Sequence, residues 1–171
     1  MPESALLILV PQAESLVSRW RREFDPSASV GVPAHVTLIY PFVPAEAIGA
    51  SEIATLRMLF GAASSFAFEL TSSARFPTMV YLRPVPDEPI RALTASLERA
   101  FPAYPPYGGA FDEVIPHLTV AEIGDEDVLT RIETELPSGI RIHVEVDEAT
   151  LMTQRSDGFW RVAETFALGA R

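Results

Sequence analysis

The chain opens with an unbroken apolar run, "ALLILV" at 5–10, far too short to cross a bilayer and of the right length for a buried strand. After Pro11 the period changes. Leu16, Val17, Trp20 and Phe24 recur at helical spacing within 12–24, with Arg19, Arg21 and Arg22 beside them on a face read as exposed and balanced by Glu14 and Glu23. The loop "DPSASVGVP" leads into "HVTLIYPF", an apolar, β-branched stretch that predicts a strand. Beyond Pro44, Ser51 is placed to cap a helix whose Ile53, Leu56, Leu59 and Phe60 share one face, and "FAFELTS" (66–72) returns to strand character.

The second half repeats this order. A strand "MVYLRPV" (79–85) is followed by a helix over 88–101 with Ile90, Leu93, Leu97 and Phe101 on one face. A proline-glycine loop, "PAYPPYGGAFDEVIP", then reaches the strand "HLTVAEI". A helix near 125–136, opened by an acidic turn, and a strand "IRIHVEV" (140–146) complete the echo. Two closing strands, "ATLMTQR" and "WRVAETFAL", meet through the turn signal "SDG". The pattern predicts a duplicated α+β architecture in one bilobal domain over 1–171, with repeats of roughly 4–73 and 78–148 and closing strands at 149–168. No long linker divides the halves, so the lobes should share a sheet or a cleft.

The two interior strands carry polar residues that a core strand does not need. Residues i and i+2 of a strand point to one face, so His35 and Thr37 project together while Val36 and Leu38 project into the core. His117 and Thr119 stand in the same relation against Leu118 and Val120, 82 positions later. The same parity sends Tyr40 to the packing side unless a bulge intervenes. With three histidines and eleven threonines in the chain, two such pairs arise by chance roughly once in a hundred. The third histidine, His143, has no hydroxyl two residues on and reads as a surface strand residue.

Composition narrows the chemistry. There is no cysteine, hence no disulfide, thiolate zinc site or thiol nucleophile, and a reducing compartment is expected. All thirteen basic residues are arginine, which leaves no lysine for a Schiff base or a phosphate-binding loop. The net charge of −10 opposes a long polyanion, so a small nucleotide or an RNA end is the expected partner, with no long nucleic acid and no membrane. The start of the chain carries no basic region before its apolar run, and a cytoplasmic, monomeric protein is expected.

Two imidazoles facing one cleft suit general acid–base chemistry near neutrality, and hydroxyls beside them can donate to phosphoryl oxygens. The histidines lack the i, i+4 spacing of a helical zinc site and no carboxylate stands within the motifs, so neither a metal nor a cofactor is expected. "HVTL" and "HLTV", each opening a strand after a proline loop, resemble the paired H-x-[ST]-apolar motifs of the two-histidine (2H) phosphoesterase superfamily, in particular its 2′-5′ RNA ligase-like branch. The resemblance implies two pseudo-symmetric lobes with antiparallel-rich sheets flanking a central cleft. It also implies His35 and His117 as the catalytic pair, Thr37 and Thr119 as phosphate-binding hydroxyls, and action on cyclic phosphates or 2′-5′ linkages.

Two loop residues could add substrate contacts: Tyr107, in the glycine loop before His117, and Arg155, just before the "SDG" turn. The alternative to an enzyme is a non-catalytic nucleotide- or RNA-end-binding module.

Overall fold

In the computed structural model, which describes residues 1–170, every apolar run of the sequence forms a strand. These are β1 (Ser4–Leu9), β2 (His35–Ile39), β3 (Phe66–Phe76), β4 (Met79–Val85), β5 (Leu118–Glu122), β6 (Ile142–Val146), β7 (Glu148–Gln154) and β8 (Trp160–Ala167). The helices are α1 (Glu14–Phe24), α2 (Pro26–Ser29), α3 (Ala50–Ala62), α4 (Glu88–Ala100) and α5 (Glu126–Glu135). The short α2 occupies a stretch expected to be loop, because the Asp25 side chain accepts from the Ser27 N–H at 2.9 Å and caps it. Helix α3 begins at Ala50, ahead of the expected Ser51 cap. The Glu52 carboxylate reaches back to the Gly49 N–H at 2.9 Å and satisfies that end.

The strands form two four-stranded antiparallel sheets, in the orders β2-β1-β7-β8 and β5-β4-β3-β6. The sheets do not coincide with the sequence repeats. β3 closes the first repeat in sequence, yet it pairs with β4 and β6 in the second sheet, while β7 and β8 complete the first. Only Pro77 and Thr78 separate β3 from β4, so a local hairpin costs little chain entropy and captures β3. The helices cross over as well, α1 packing on β5 and α4 on β2. Each motif strand is therefore backed by a helix of the other repeat.

One continuous core joins the sheets to the helices, with Leu6, Ile8, Val36, Leu38, Val80, Leu82, Leu118 and Val120 all buried. Each such side chain removed from water contributes on the order of 1.5–3 kcal/mol. A smaller apolar group, Ala5, Leu7, Val32 and Met152, lies on the opposite face of β1 under Tyr40 and Trp160. At the far end the β7–β8 connection closes tightly, Gly158 donating to the Arg155 carbonyl with φ of +86°, a conformation that favours glycine.

Both motif strands contain a bulge at the same place. On β2 the pairing steps from Leu7–Thr37 to Leu6–Ile39, leaving Leu38 as the extra residue. On β5 it steps from Tyr81–Thr119 to Val80–Ala121, leaving Val120 extra. Two consecutive residues then face the core at each bulge, Leu38 with Ile39 and Val120 with Ala121.

Candidate active site

Parity on either side of those bulges builds the site. His35 and Thr37 on β2, with His117 immediately before β5 and Thr119 on it, are half-buried and line one cleft of about 540 Å³, while their neighbours Val36, Leu38, Leu118 and Val120 are fully buried. β2 and β5 are in contact across the two sheets, so the two motifs share one floor. A proline loop precedes each strand and supplies the same brace. The His35 Nδ1–H donates to the Pro33 carbonyl at 2.7 Å, and the His117 Nδ1–H to the Ile115 carbonyl at 2.7 Å. A carbonyl can only accept, so each ring carries its proton on Nδ1 and leaves Nε2 bare when neutral.

The electrostatic surroundings of the two rings differ. Burial at the cleft floor pushes His35 down to about 4, the neighbouring Arg21 guanidinium adding to the effect while the Pro33 carbonyl and Asp25 oppose it. His117 is also lowered by burial, less far, with the Ile115 carbonyl opposing. His117 sits against aromatic edges, 5.3 Å from the Phe76 ring and 5.6 Å from Tyr81, which stack on each other at 4.3 Å.

Arg21 departs from the exposed role expected of the α1 arginines. It is buried, donating to Asp25 at 2.9 Å, to the Val32 carbonyl at 3.0 Å and to Ser27 at 3.2 Å, with Glu14 at 3.8 Å. Glu14 in turn accepts from the Ala34 N–H at 2.6 Å, fixing the residue before His35. Arg22 is exposed as expected, and Arg19 lies over the Trp20 ring at 3.9 Å and pairs with Glu135. An aspartate four residues after Arg21 was the signal for this pair.

Tyr107 lines the cleft, with its backbone in the left-handed region at φ 51°. Its N–H donates to the Tyr40 carbonyl at 2.6 Å, and its phenol, raised by burial, is influenced by the Thr37 hydroxyl, which lowers it. A non-glycine residue held there costs on the order of 1–3 kcal/mol and marks a constrained site. Arg155 does not line the cleft. It borders a separate depression with Arg161, Glu46 and Pro2, and its guanidinium pairs with Asp157 at 2.8 Å across the turn. His143 is exposed on β6, 2.8 Å from Glu145, as its sequence context suggests.

Several cleft residues were not picked out from sequence: Glu3, Asp25, Tyr40, Glu122 and Trp160. Tyr40 corrects the parity expectation, because the Leu38 bulge turns it back into the cleft, where its hydroxyl donates to Glu3 at 2.8 Å. Among the described residues no three His, Asp or Glu side chains are gathered to share a metal ion, and no helix is long and apolar enough to cross a membrane.

The sequence profile of the 2′-5′ RNA ligase superfamily matches residues 9–158. The chain belongs to this superfamily. A Bacillus pumilus protein bearing the provisional name of a phosphoesterase is 30% identical over 169 residues, spanning 95% of this chain and 96% of its own length. Among solved structures, E. coli LigT complexed with 3′-AMP superposes with a TM-score of 0.63 at 21% identity, covering 98% of this chain and 99% of LigT. The Thermus thermophilus protein TT0787 gives 0.62 at 16% identity, with 99% of both chains covered. These likenesses extend the superfamily's α+β fold, with its two sheets and central cleft, over the whole of this member.

Proposed function

We propose that this 2′-5′ RNA ligase superfamily member is a metal-independent phosphoesterase acting on a small nucleotide-derived phosphodiester. The candidate substrates are 2′,3′- or 1″,2″-cyclic phosphates and 2′-5′ linkages. One observation carries the reading: two histidines, each held by an Nδ1–carbonyl bond, present bare Nε2 atoms to a single cleft beside two threonine hydroxyls. That LigT is seen with 3′-AMP supports a nucleotide-sized ligand.

For a 2′,3′-cyclic phosphate, one Nε2 takes a proton from water as the water oxygen bonds to phosphorus. The opposite Nε2–H gives its proton to the ribose oxygen as the phosphorus–oxygen bond breaks, leaving a nucleoside phosphomonoester. The more strongly lowered His35 is suited to be the neutral base, and His117, which keeps its proton to higher pH, to be the acid. Thr37 and Thr119 would donate to the non-bridging oxygens as charge builds there.

The test is turnover of a panel of cyclic nucleotides in the presence of chelator. His35→Ala and His117→Ala should each lose on the order of 10³-fold in kcat/KM, and the double variant little more, because the pair acts as one unit. The profile of kcat/KM against pH should be a bell whose acid limb lies near 4 and whose alkaline limb lies below 6.5. Full activity in either single variant would sink the reading. Binding without any product across the panel would favour a nucleotide-binding module instead.

A further inference from the structure

The paired bulges have an effect beyond the histidines. Five positions after each histidine, Tyr40 and Glu122 are turned back into the cleft by the same irregularity. The two are not equivalent. Tyr40 is committed to Glu3, and the third cleft carboxylate, Asp25, is committed to Arg21 and Ser27. The Glu122 side chain makes no hydrogen bond or ion pair among the described residues, so it remains available to a ligand.

No arginine stands among the residues lining the cleft, and the chain has no lysine. The buried Arg21 behind it is neutralised by Asp25 and Glu14. Phosphate is thus met by two imidazoles, one of them protonated in the reactive form, and by hydroxyls, with a free carboxylate beside them. A cyclic phosphodiester carries one negative charge, which two hydroxyls and an imidazolium can balance. A second phosphate on the same ligand would approach the exposed Glu122 carboxylate or Glu3 without a cation to offset it, in a cleft where like charges repel more strongly than in bulk water. Glu122 is raised above the usual carboxylate range by burial and by the charge of Asp25, as expected of a carboxylate already in an electronegative setting.

The geometry points to Glu122 as a charge filter that narrows the candidate substrates: the cleft takes a singly charged phosphodiester whose other groups are neutral hydrogen-bond donors, such as a 2′,3′-cyclic mononucleotide, and it rejects the same ligand bearing a second phosphate. The carboxylate accepts from a hydroxyl or amine of the correct substrate and repels the additional anion. The same repulsion assists product release, since the ring-opened monoester gains a second charge near pH 6. This assignment rests on the phosphoesterase reading for its substrate class, although the filter itself is a property of binding.

The experiment compares adenosine 2′,3′-cyclic phosphate with its 5′-phosphorylated counterpart. Binding is measured by calorimetry in a His117→Ala background, and kcat/KM in the otherwise intact protein, each with Glu122, Glu122→Gln and Glu122→Arg. With Glu122 present the doubly substituted ligand should bind about tenfold or more weakly. Glu122→Gln should narrow that gap to about threefold or less, Glu122→Arg should close or invert it, and added salt should narrow it in the parent. A gap that is absent, or that does not respond to either substitution, overturns the filter even if turnover is robust. If nothing is turned over while the gap and its response persist, the catalytic reading fails and the filter stands. No binding of either ligand overturns both.

Discussion

The strands bearing His35 and His117 have the same backbone and opposite surroundings. Each starts after a proline loop, holds its histidine by an Nδ1–carbonyl bond of 2.7 Å, and bulges one residue past its threonine. Behind His35 lies a buried ion pair, Arg21–Asp25, tied to the loop through Glu14 and Ser27. Around His117 lie the edges of Phe76 and Tyr81. Thr37 shares the cleft with the phenol of Tyr107, whereas the Thr119 hydroxyl donates to the soft sulfur of Met79 at 3.5 Å. A duplicated scaffold supplies two imidazoles in matched positions, and unequal burial, with Arg21 and Asp25 as smaller opposing influences on His35, separates their proton affinities. Acid–base chemistry needs that separation, because two identical histidines would favour neither direction of proton transfer.

The hardest way to break the comparison is to remove the cation on one side. Arg21→Met leaves Asp25 without its partner in a buried place, and losing one member of such a pair costs about 3 to 5 kcal/mol. Urea unfolding should show that loss. Burial accounts for most of the lowering of His35 and the guanidinium adds to it, so without that charge the His35 ring should titrate above its present value of about 4, while His117, lowered by burial with no cation beside it, should stay where it is. Equal movement of both rings in NMR titration would show that the surroundings are not independent.

A smaller effect comes from the rings themselves. Both histidines are lowered on folding, so the unfolded chain takes up protons near 6.5 that the folded chain refuses. Stability should therefore be constant above that range, fall as pH drops below about 6.5, and stop falling from this cause near 4 for His35. For His35, solvent in the cleft reduces the effect to roughly 2 kcal/mol. Chemical denaturation at stepped pH should show a shallower slope in His35→Ala than in His117→Ala. The reverse order would contradict the assignment of His35 as the more strongly lowered ring.

Much of this was legible in the sequence because strand parity is a local rule. His35 with Thr37, and His117 with Thr119, could be placed on one face without knowing any partner strand, and Val36 and Leu118 on the other. Tyr40 and Glu122 could not, since a bulge is a mismatch between two strands and neither strand alone records it. The exchange of β3 into the second sheet was hidden for a related reason. Element order repeats along the chain, but the two-residue Pro77–Thr78 turn decides pairing. In sequence Arg21 differs from its neighbours Arg19 and Arg22 only in the aspartate four residues on, a signal too weak to tell a buried pair from an exposed one. Arg155 was misplaced because a turn position says where the chain reverses and nothing about which side of the sheet the side chain serves.

The smallest expected effect tests whether the two bulges are held alike. At β2 the Leu38 carbonyl accepts from the buried Thr94 hydroxyl of α4 at 2.9 Å, so a helix of the second repeat stabilises the irregularity in the first. Thr94→Val keeps the shape and leaves that carbonyl without its side-chain donor, a loss of about 1 to 2 kcal/mol. If the hydroxyl merely fills space, stability alone will change. If it holds the bulge, Tyr40 will lose its place against Glu3, and its phenol, now pushed up to about 12 by burial and that carboxylate, will titrate lower. Ultraviolet titration of the tyrosines separates these outcomes, and an unmoved Tyr40 in a destabilised variant would show that the bulge is set by β1 pairing rather than by α4.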